Sequence, residues 1–306
     1  MNTSDTSLLR QAAAAAAGGQ HYPTGALYVV ATPIGNLADL SLRALHVLGL
    51  VDAIACEDTR HSAPLLRQFG IEGKPLLAVH EHNEREAAAD VLARLARGER
   101  VACISDAGTP AISDPGAALV AAVRAAGHRV VPVPGASSAV TALSVAGDIA
   151  GAAFRFIGFV PVRSGERAQA LEALAANPST QVLFEAPHRI EALSVALAQA
   201  CGDRVLTVCR ELTKQFETVH TLPAADLPGW LAADPNRVRG EFVLVLHSLA
   251  PDATAATAAT YDRALQILLA QLPLKQAVAL TAELTGAPRN TLYDRALAMK
   301  KAAAPD

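Results

Sequence analysis

The sequence predicts an α/β protein built from two α/β domains, with a small helical appendage at its C-terminal end. From Gly25 to His247, short apolar runs alternate with amphipathic stretches whose apolar residues recur about every 3.6 positions. This alternation is typical of a largely parallel sheet covered by helices. After Ser248 only the helical period remains. A chain of 306 residues is long enough for two ordinary domains.

The first α/β domain is predicted over residues 26–146. Residues 1–25 contain an alanine run and lack the basic and bulky apolar segments of a signal peptide, so we expect a disordered tail there. Apolar runs predict these strands: Leu27–Ala31, Ala53–Cys56, Leu76–His80, Val101–Ser105 and Arg129–Val133. The intervening stretches predict these crossover helices: Ser41–Gly49, Ala63–Phe69, Asn83–Arg97, Gly116–Ala126 and Ser137–Ala146.

The second α/β domain is predicted over residues 147–248, and residues 249–306 form a linker followed by helices. Its predicted strands are Phe154–Phe159, Gln181–Glu185, Arg204–Arg210 and Glu241–His247, with helices at Glu166–Ala176 and Arg189–Gln199. Leu249–Thr260 is almost wholly Ala, Thr, Pro and Asp, which have little to bury, and this predicts a linker. Helices are predicted after it at Tyr261–Leu272, Leu274–Thr285 and Arg289–Ala303.

Composition excludes several classes of protein. The net charge of −3 argues against a general nucleic-acid binder, so an RNA partner would have to meet local basic patches. No run approaches the roughly 18 apolar residues of a membrane span, and no membrane association is expected. The four cysteines form no C-x-x-C pair. They are interpreted as buried thiols of a cytoplasmic protein, not as a zinc site or a disulfide framework.

The most informative segment is the loop Ser105–Gly116, between a predicted strand and a predicted helix. Ligands of open α/β sheets bind outside the carboxyl ends of the strands, which is where this loop lies. Its glycines permit close backbone approach. Asp106 and Asp114 would repel a phosphate and suit a ligand with an ammonium or sulfonium group, although Asp114 could equally cap a helix. Val131–Ser138 is a second, weaker glycine loop at a neighbouring strand end.

Ionisable residues follow several other predicted strands. The loop Ala31–Ser41 lacks the G-x-G-x-x-G of a dinucleotide fold and the lysine of a P-loop, which disfavours NAD enzymes and kinases. His80, His82 and Glu84 alternate, but no further cluster completes a zinc site, so no metal is predicted. In the second half, Arg189, Arg210 and Lys214 could contact phosphates or form salt bridges.

These segments resemble the tetrapyrrole-methylase fold family and, within it, the branch of ribosomal RNA small subunit methyltransferases I. The resemblance runs from about Leu27 to Leu297. Its most specific motifs are Thr32-Pro33-Ile34-Gly35-Asn36-Leu37, Glu57-Asp58-Thr59-Arg60, Ser105-Asp106-Ala107-Gly108-Thr109-Pro110, Arg210-Glu211-Leu212-Thr213-Lys214 and Gly240-Glu241. The fold class it implies is two α/β domains of tetrapyrrole-methylase type.

The resemblance implies an S-adenosylmethionine-dependent enzyme that methylates a cytidine ribose 2′-hydroxyl in the decoding region of small-subunit ribosomal RNA. The partner would be that RNA or an assembled small subunit, and the enzyme a cytoplasmic homodimer. The residues implied for the cofactor are Asp106, Ala107, Gly108, Thr109, Ser113, Pro134, Ser137, Phe184 and Glu241. Those implied for catalysis are Glu57, Asp58, Arg60, Glu211 and Lys214. Those implied for the RNA are Asn36, His82, Glu84, Arg189, Arg210, Lys275 and Arg289.

The implied mechanism is an in-line attack of the 2′-oxygen on the sulfonium methyl group, in which positioning is the main task. A nearby base, or a cation that stabilises the developing alkoxide, would help by about 10²–10⁴-fold. The candidates for these two roles are Glu57, Asp58, His82, Glu84, Glu211 and Lys214. The basic segment Lys275–Lys301 fits a helix-turn-helix that faces RNA, or a bundle that covers a dimer.

Two other functions stay open on the sequence. A methylase of a tetrapyrrole precursor would use the same fold, but its flat, carboxylate-rich substrate does not require the basic helical segment. The resemblance assigns the loop Ser105–Gly116 to the methyl donor, and we call it the donor loop. A non-catalytic RNA-binding assembly factor would have no physical reason to keep this loop intact.

Overall fold

The computed structural model describes residues 3–80, 83–249, 255–285 and 289–302. The chain forms two compact units. The larger unit contains both β-sheets. The smaller one contains the C-terminal helices together with residues 149–152 and 177–179.

The first sheet consists of five parallel strands, which confirms the predicted fold of this half. The strands are β1 (Ala26–Val30), β2 (Ala53–Cys56), β3 (Leu76–Ala78), β4 (Val101–Ile104) and β5 (Arg129–Val133). Their order is β3-β2-β4-β1-β5. The chain leaves β1 toward β2 and leaves β4 toward β5, on opposite sides. The carboxyl ends of β1 and β4 therefore border the crevice where such sheets bind ligands.

Four helices connect these strands and cover both faces of the sheet. They are α2 (Leu42–Leu50), α3 (Thr59–Gln68), α4 (Glu84–Ala96) and α5 (Ala117–Ala125). Burial on both faces explains why β2 and β4 are continuous apolar runs. Helix α3 begins four residues before the predicted start, because the Asp58 side chain accepts a hydrogen bond from the Arg60 backbone N–H and caps the helix.

The expectation of a disordered N-terminal tail is wrong for residues 3–17, which form helix α1 (Thr3–Ala17). Ala13 and Ala17 are buried against the core of the first domain. The Arg10 guanidinium donates to the Gly70 carbonyl oxygen at 3.0 Å, and the Tyr22 hydroxyl donates to the Ala17 carbonyl at 3.0 Å. The alanine run has high helix propensity, and its small side chains let α1 lie close to α2.

The second sheet differs from the prediction in strand direction. Its strands are β6 (Phe154–Phe159), β7 (Thr180–Glu185), β8 (Val205–Arg210), β9 (Thr218–Pro223) and β10 (Phe242–Leu246), in the order β6-β7-β10-β8-β9. Only β6 and β7 are parallel, and the other pairs are antiparallel. Strand β9 was not predicted, because it is an edge strand whose side chains are mostly exposed.

Helices pack on both faces of the second sheet. Helix α6 (Ser138–Ala146) lies on one face, while α7 (Ser164–Ala176), α8 (Ile190–Cys201) and the unpredicted α9 (Leu227–Ala232) lie on the other. Ala139 and Ala142 of α6 share a buried cluster with Ile34 of the first domain and with Val182 and Val243 of the second. The two sheets are thus joined through one apolar layer.

The smaller unit has a core of its own. Its helices are α10 (Ala255–Leu269), α11 (Leu274–Thr285) and α12 (Arg289–Ala302). Tyr261, Leu265, Val278, Leu292 and Ala296 form that core. The predicted linker is wrong for residues 255–260, which belong to α10, whereas residues 250–254 lie outside the described part of the chain. No helix within the described ranges is long and apolar enough to cross a membrane.

A charge introduced at the α1–α2 contact tests whether α1 is part of the fold. Ala13→Glu places a carboxylate where the side chain is 1% exposed, and we expect it to lower the free energy of unfolding by at least about 1 kcal/mol. Ala15→Glu, on the exposed side of the same helix, is the matched control and should change it by less than about 0.5 kcal/mol. Thermal unfolding measures both, and equal melting temperatures would contradict the docking of α1.

Candidate active site

The loops that follow β1 and β4 are joined by a short β-bridge at the crevice. The Thr32 N–H donates to the Gly108 carbonyl at 2.9 Å, and the Gly108 N–H donates to the Thr32 carbonyl at 3.1 Å. The Thr32 hydroxyl also donates to the Ser105 carbonyl at 3.1 Å. The two motif loops of the first domain therefore hold each other in place.

Gly108 is required by this geometry. Its φ is +83°, a conformation that favours glycine, and a Cβ there would lie 3.3 Å from Ile34 Cγ2. The loop after β5 joins the same assembly, because the Thr109 hydroxyl donates to the Ala136 carbonyl at 2.9 Å. Any side chain at Gly108 would thus strain the backbone itself, beyond its effect on a ligand.

A loop of the second domain interlocks with the loop after β1. The Asn36 N–H donates to Thr213 Oγ1 at 3.1 Å. A Cβ on Gly35 would lie 2.5 Å from Lys214 Cγ and 3.1 Å from the Leu212 carbonyl oxygen. Two motifs that are about 180 residues apart in the sequence therefore meet at a glycine that has no room for a side chain.

An ion network holds the loop after β8. Lys214 Nζ lies 2.8 Å from Glu211 Oε1 and 2.7 Å from Glu241 Oε2. Glu211 Oε1 also accepts from the Glu241 N–H at 2.9 Å. Burial disfavours the ionised form of Glu211, but the bonds from Lys214 and Glu241 outweigh it and hold the pKa of this carboxyl below its ordinary value. Glu211 and Thr213 have φ of +53° and +66°, so the network stabilises a strained loop.

A cavity of about 330 Å³ opens between the two sheets, where these loops meet. This volume lies within the range of small-molecule sites. Its wall from the first domain is made by Ile34, Ala107, Ser113, Asp114 and Ser138. Its wall from the second domain is made by Phe159, Phe184, Glu185, Ala186, Pro187, Cys209, Leu212, Glu241, Phe242 and Val243.

The cavity combines aromatic and acidic groups. The Phe184 ring lies edge-on to Phe156 at 5.0 Å and to Phe159 at 5.9 Å between centroids. Phe159 is 51% exposed, unusually high for an aromatic residue at a strand end. Asp114 and Glu241 supply carboxylates to the same wall. Such a site suits a ligand with a flat apolar ring and a positive charge.

Three carboxylates gather at the carboxyl ends of β2 and β4. Burial raises the pKa of Glu57, and the nearby charges of Asp114 and Asp106 raise it further. Burial likewise raises the pKa of Asp114. Asp106 accepts from the Asp58 N–H at 3.3 Å and lies 3.0 Å from His61 Nδ1. Glu57 and Asp114 therefore both combine partial burial with a pKa shifted toward that of a base, and Asp114 also lines the cavity.

Asp58 and Arg60 behave differently from Glu57. Arg60 Nη2 lies 2.6 Å from Asp58 Oδ2, and the Arg60 side chain is 87% exposed. Hydrogen bonds from the Arg60 side chain and backbone lower the pKa of Asp58 to about 2. Asp58 therefore caps helix α3 and pairs with Arg60. With its low pKa it is a poor proton acceptor near neutral pH.

The predicted cofactor residues divide into three groups. Ala107, Ser113, Phe184 and Glu241 line the cavity. Asp106, Gly108 and Thr109 instead make the contacts within and between loops described above. Pro134 is exposed, and Ser137 is the N-terminal residue flanking α6, next to the cavity residue Ser138.

The predicted RNA-contacting arginines have partners inside the protein. Arg189 Nε lies 3.0 Å from Glu185 Oε1, whose side chain is 1% exposed, and its guanidinium also donates to the Val160 carbonyl. A buried carboxylate requires such a counter-charge. Arg210 donates to the carbonyls of Arg239 and Phe216 at 3.1 and 3.2 Å. Arg189 is thus paired within the fold, and the two terminal nitrogens of Arg210 are engaged by backbone carbonyls.

The remaining predicted residues lie apart from the cavity wall or outside the described part of the chain. Asn36 is exposed, and its side chain accepts from the Ala38 N–H at 3.1 Å. Lys275 and Arg289 are exposed residues of the smaller unit. His82 lies outside the described residues, as does the side chain of Glu84, whose backbone begins α4. Within the ranges that the structure describes, no group of three or more His, Cys, Asp or Glu could hold a metal. The four cysteines are free and buried, as predicted.

Several cavity residues carry no specific signal in the sequence. Three of them are apolar residues at loop and strand ends: Ile34, Cys209 and Leu212. In the sequence they cannot be distinguished from ordinary core residues, because only the fold brings them together. Asp114 had a competing interpretation as a helix cap. The residue flanking α5 is in fact Gly116, so Asp114 is left to face the cavity.

Comparisons with known proteins agree with this architecture. The family model described as Tetrapyrrole (Corrin/Porphyrin) Methylases matches residues 26–228. The model described as RsmI C-terminal HTH domain matches residues 255–300. Among solved structures, the methyltransferase CobJ has a TM-score of 0.56 and 20% identity, and the match covers 74% of this chain and 95% of that one. Uroporphyrin-III C-methyl transferase from Thermus thermophilus, complexed with S-adenyl homocysteine, has a TM-score of 0.52 and 16% identity. This match covers 72% of this chain and 96% of that one.

Curated relatives are much more similar in sequence. Ribosomal RNA small subunit methyltransferase I from Pseudomonas aeruginosa is 50% identical over 275 residues, which cover 89% of this chain and 97% of that protein. The protein of the same name from Escherichia coli O157:H7 is 47% identical over 276 residues, covering 89% and 95%. The structural neighbours support the fold, and the relatives identify the branch of the family.

Proposed function

The chain belongs to the tetrapyrrole methylase family and, within it, to the ribosomal RNA small subunit methyltransferases I, and from this membership we propose its substrate and the roles of its residues. It is an S-adenosylmethionine-dependent methyltransferase. Its substrate is small-subunit ribosomal RNA, and the acceptor is the ribose 2′-hydroxyl of a cytidine in the decoding region. The observation that supports this proposal most directly is the acidic and aromatic cavity at the meeting point of the family's motif loops.

The cavity residues fit the methyl donor. Phe159 and Phe184 offer apolar faces to an adenine ring, and Asp114 and Glu241 offer carboxylates to cationic groups. Ala107 and Ser113 would hold the donor from the side of the first domain. When bound, S-adenosylmethionine supplies an electrophilic methyl group on a positively charged sulfur.

Glu57 is the residue that we assign as the proton acceptor. A ribose hydroxyl is a weak acid, and a base with a raised pKa assists its deprotonation at neutral pH. Glu57 is half-buried, and its pKa is raised by burial and by Asp114 and Asp106. Asp114 has a raised pKa as well, but it lines the cavity that we assign to the donor. Glu211 and Lys214 act as positioning residues, because their ion network fixes the loop that carries Leu212 into the cavity wall.

The smaller unit is proposed to bind the RNA. It matches a family described as a helix-turn-helix domain, and Lys275 and Arg289 are exposed on it and available to phosphates. Location in the cytoplasm and assembly as a homodimer belong to the same proposal and rest on the resemblance to the family.

Donor binding and methyl transfer test the proposed function together. Calorimetric titration should detect binding of S-adenosylmethionine and none of NAD. Labelled methyl groups should then enter ribose of small ribosomal subunits that lack the modification. A bound donor without labelled RNA would favour a tetrapyrrole-precursor methylase. Absence of donor binding would favour a non-catalytic RNA-binding factor and contradict the proposal.

Glu57→Gln tests the assignment of the base. We expect kcat to fall by about 10²–10⁴-fold with little change in donor affinity. In the unmodified enzyme, the rate should rise as pH passes upward through the raised pKa of Glu57 and the carboxylate forms. The variant should lose this rise.

Asp58→Asn is the matched control, since it changes the adjacent carboxylate and asparagine still caps a helix. Its kcat should stay within a few-fold of that of the unmodified enzyme. If Asp58→Asn lost more activity than Glu57→Gln, or if the pH profile of Glu57→Gln were unchanged, the assignment would be wrong.

A further inference from the structure

A cluster of aromatic and cationic side chains lies on the second domain, apart from the residues assigned above to the donor. The His220 ring stacks on the Trp230 ring, with centroids 5.2 Å apart and planes inclined by 10°. The Arg237 guanidinium lies over the same ring, 4.5 Å from its centroid, and donates to the Trp230 carbonyl at 2.8 Å. The stack is thus built from β9, α9 and the loop that precedes β10.

Arg210 extends this cluster toward a second aromatic residue. Its guanidinium donates to the carbonyls of Arg239 and Phe216, which fixes these two residues beside each other. Phe216 is 68% exposed, and the Arg239 side chain is exposed. One exposed ring is ordinary on a protein surface, but here the backbone places it beside an exposed arginine and close in the chain to the His220–Trp230–Arg237 stack.

The cluster is close to the cavity along the chain. Arg237 and Arg239 lie four and two residues before the cavity residue Glu241, so their Cα atoms are within about 14 Å and 7 Å of its Cα. Two carboxylates lie nearby, and each is oriented by a backbone N–H: Glu217 accepts from Thr213, and Asp234 accepts from Asn236. Arg239 is the exposed guanidinium of the cluster, and Arg237 is half-buried over the Trp230 ring.

We propose that Phe216, His220, Arg237 and Arg239 form a platform that binds single-stranded RNA flanking the target nucleotide. Exposed rings and guanidinium planes stack on nucleobases, and the arginines also pair with phosphates. The inference rests on the proposed function, which supplies the RNA, and it adds a contact surface outside the helix-turn-helix unit. An unpaired strand is favoured over a duplex, because stacking requires bases that are free to leave the helix.

Two single variants separate the two kinds of contact. Phe216→Ala should weaken binding of naked small-subunit RNA by roughly 5- to 100-fold, as expected for the loss of one stacked base, and leave the salt dependence unchanged. Arg239→Gln should reduce the slope of log affinity against log salt by about 0.7, as expected for one lost phosphate contact on a single strand. Filter binding across a salt series measures both effects.

The donor and a double variant provide the controls. Phe216→Ala/Arg239→Gln should bind S-adenosylmethionine as the unmodified protein does and raise KM for RNA with little effect on kcat. Leu8→Ala/Arg124→Gln removes one exposed apolar side chain and one exposed guanidinium elsewhere, and it should change neither RNA affinity nor KM.

The outcomes distinguish failure of this proposal from failure of the proposed function. If the unmodified protein methylates small subunits but Phe216→Ala and Arg239→Gln bind RNA normally, the platform is wrong and the function stands. If the unmodified protein fails to methylate RNA, the function fails, while the binding series still decides the platform. Weaker binding to assembled subunits but not to naked RNA, or loss of self-association in sedimentation, would assign the surface to a protein partner and overturn the proposal.

Discussion

The close approach of Gly35 to Lys214 is the contact on which the site depends. A methyl group on Gly35 would overlap Lys214 Cγ at 2.5 Å and press on Leu212, so the loops of the two domains can meet only because the first carries glycine there. Asn36 then bonds to Thr213. The same loop is bridged to Gly108 through Thr32. One glycine contact thus links the donor loop of the first domain to the wall supplied by the second.

The loop on the second-domain side of this contact is strained and needs support. Glu211 and Thr213 both have positive φ, and each such residue costs on the order of 1 kcal/mol or more. The ion network of Lys214 with Glu211 and Glu241 offsets that cost and holds Leu212 and Glu241 in the cavity wall. Positioning is the main demand of an in-line methyl transfer, and charged residues can meet that demand without touching the substrate.

The sequence predicted the buried parallel strands well and the second sheet less well, for physical reasons. Strands β2 and β4 are continuous apolar runs because both faces are covered, whereas the edge strand β9 has mostly exposed side chains and no such signal. Helix α1 was not predicted, because a run of alanines is typical of a low-complexity segment. The same small side chains permit its close packing against α2. At the site, motif loops were recognisable, but Ile34 and Leu212 acquire their role only when the two domains meet.

Donor affinity of Gly35→Ala tests this account most directly, with Gly49→Ala as the control, because a Cβ at Gly49 would meet nothing within 4 Å. The account predicts that Gly35→Ala pushes the Leu212–Lys214 loop away from the first domain and weakens S-adenosylmethionine binding by at least about tenfold, equivalent to about 1.4 kcal/mol, while Gly49→Ala binds normally. Equal calorimetric affinities of both variants and the unmodified protein would contradict it.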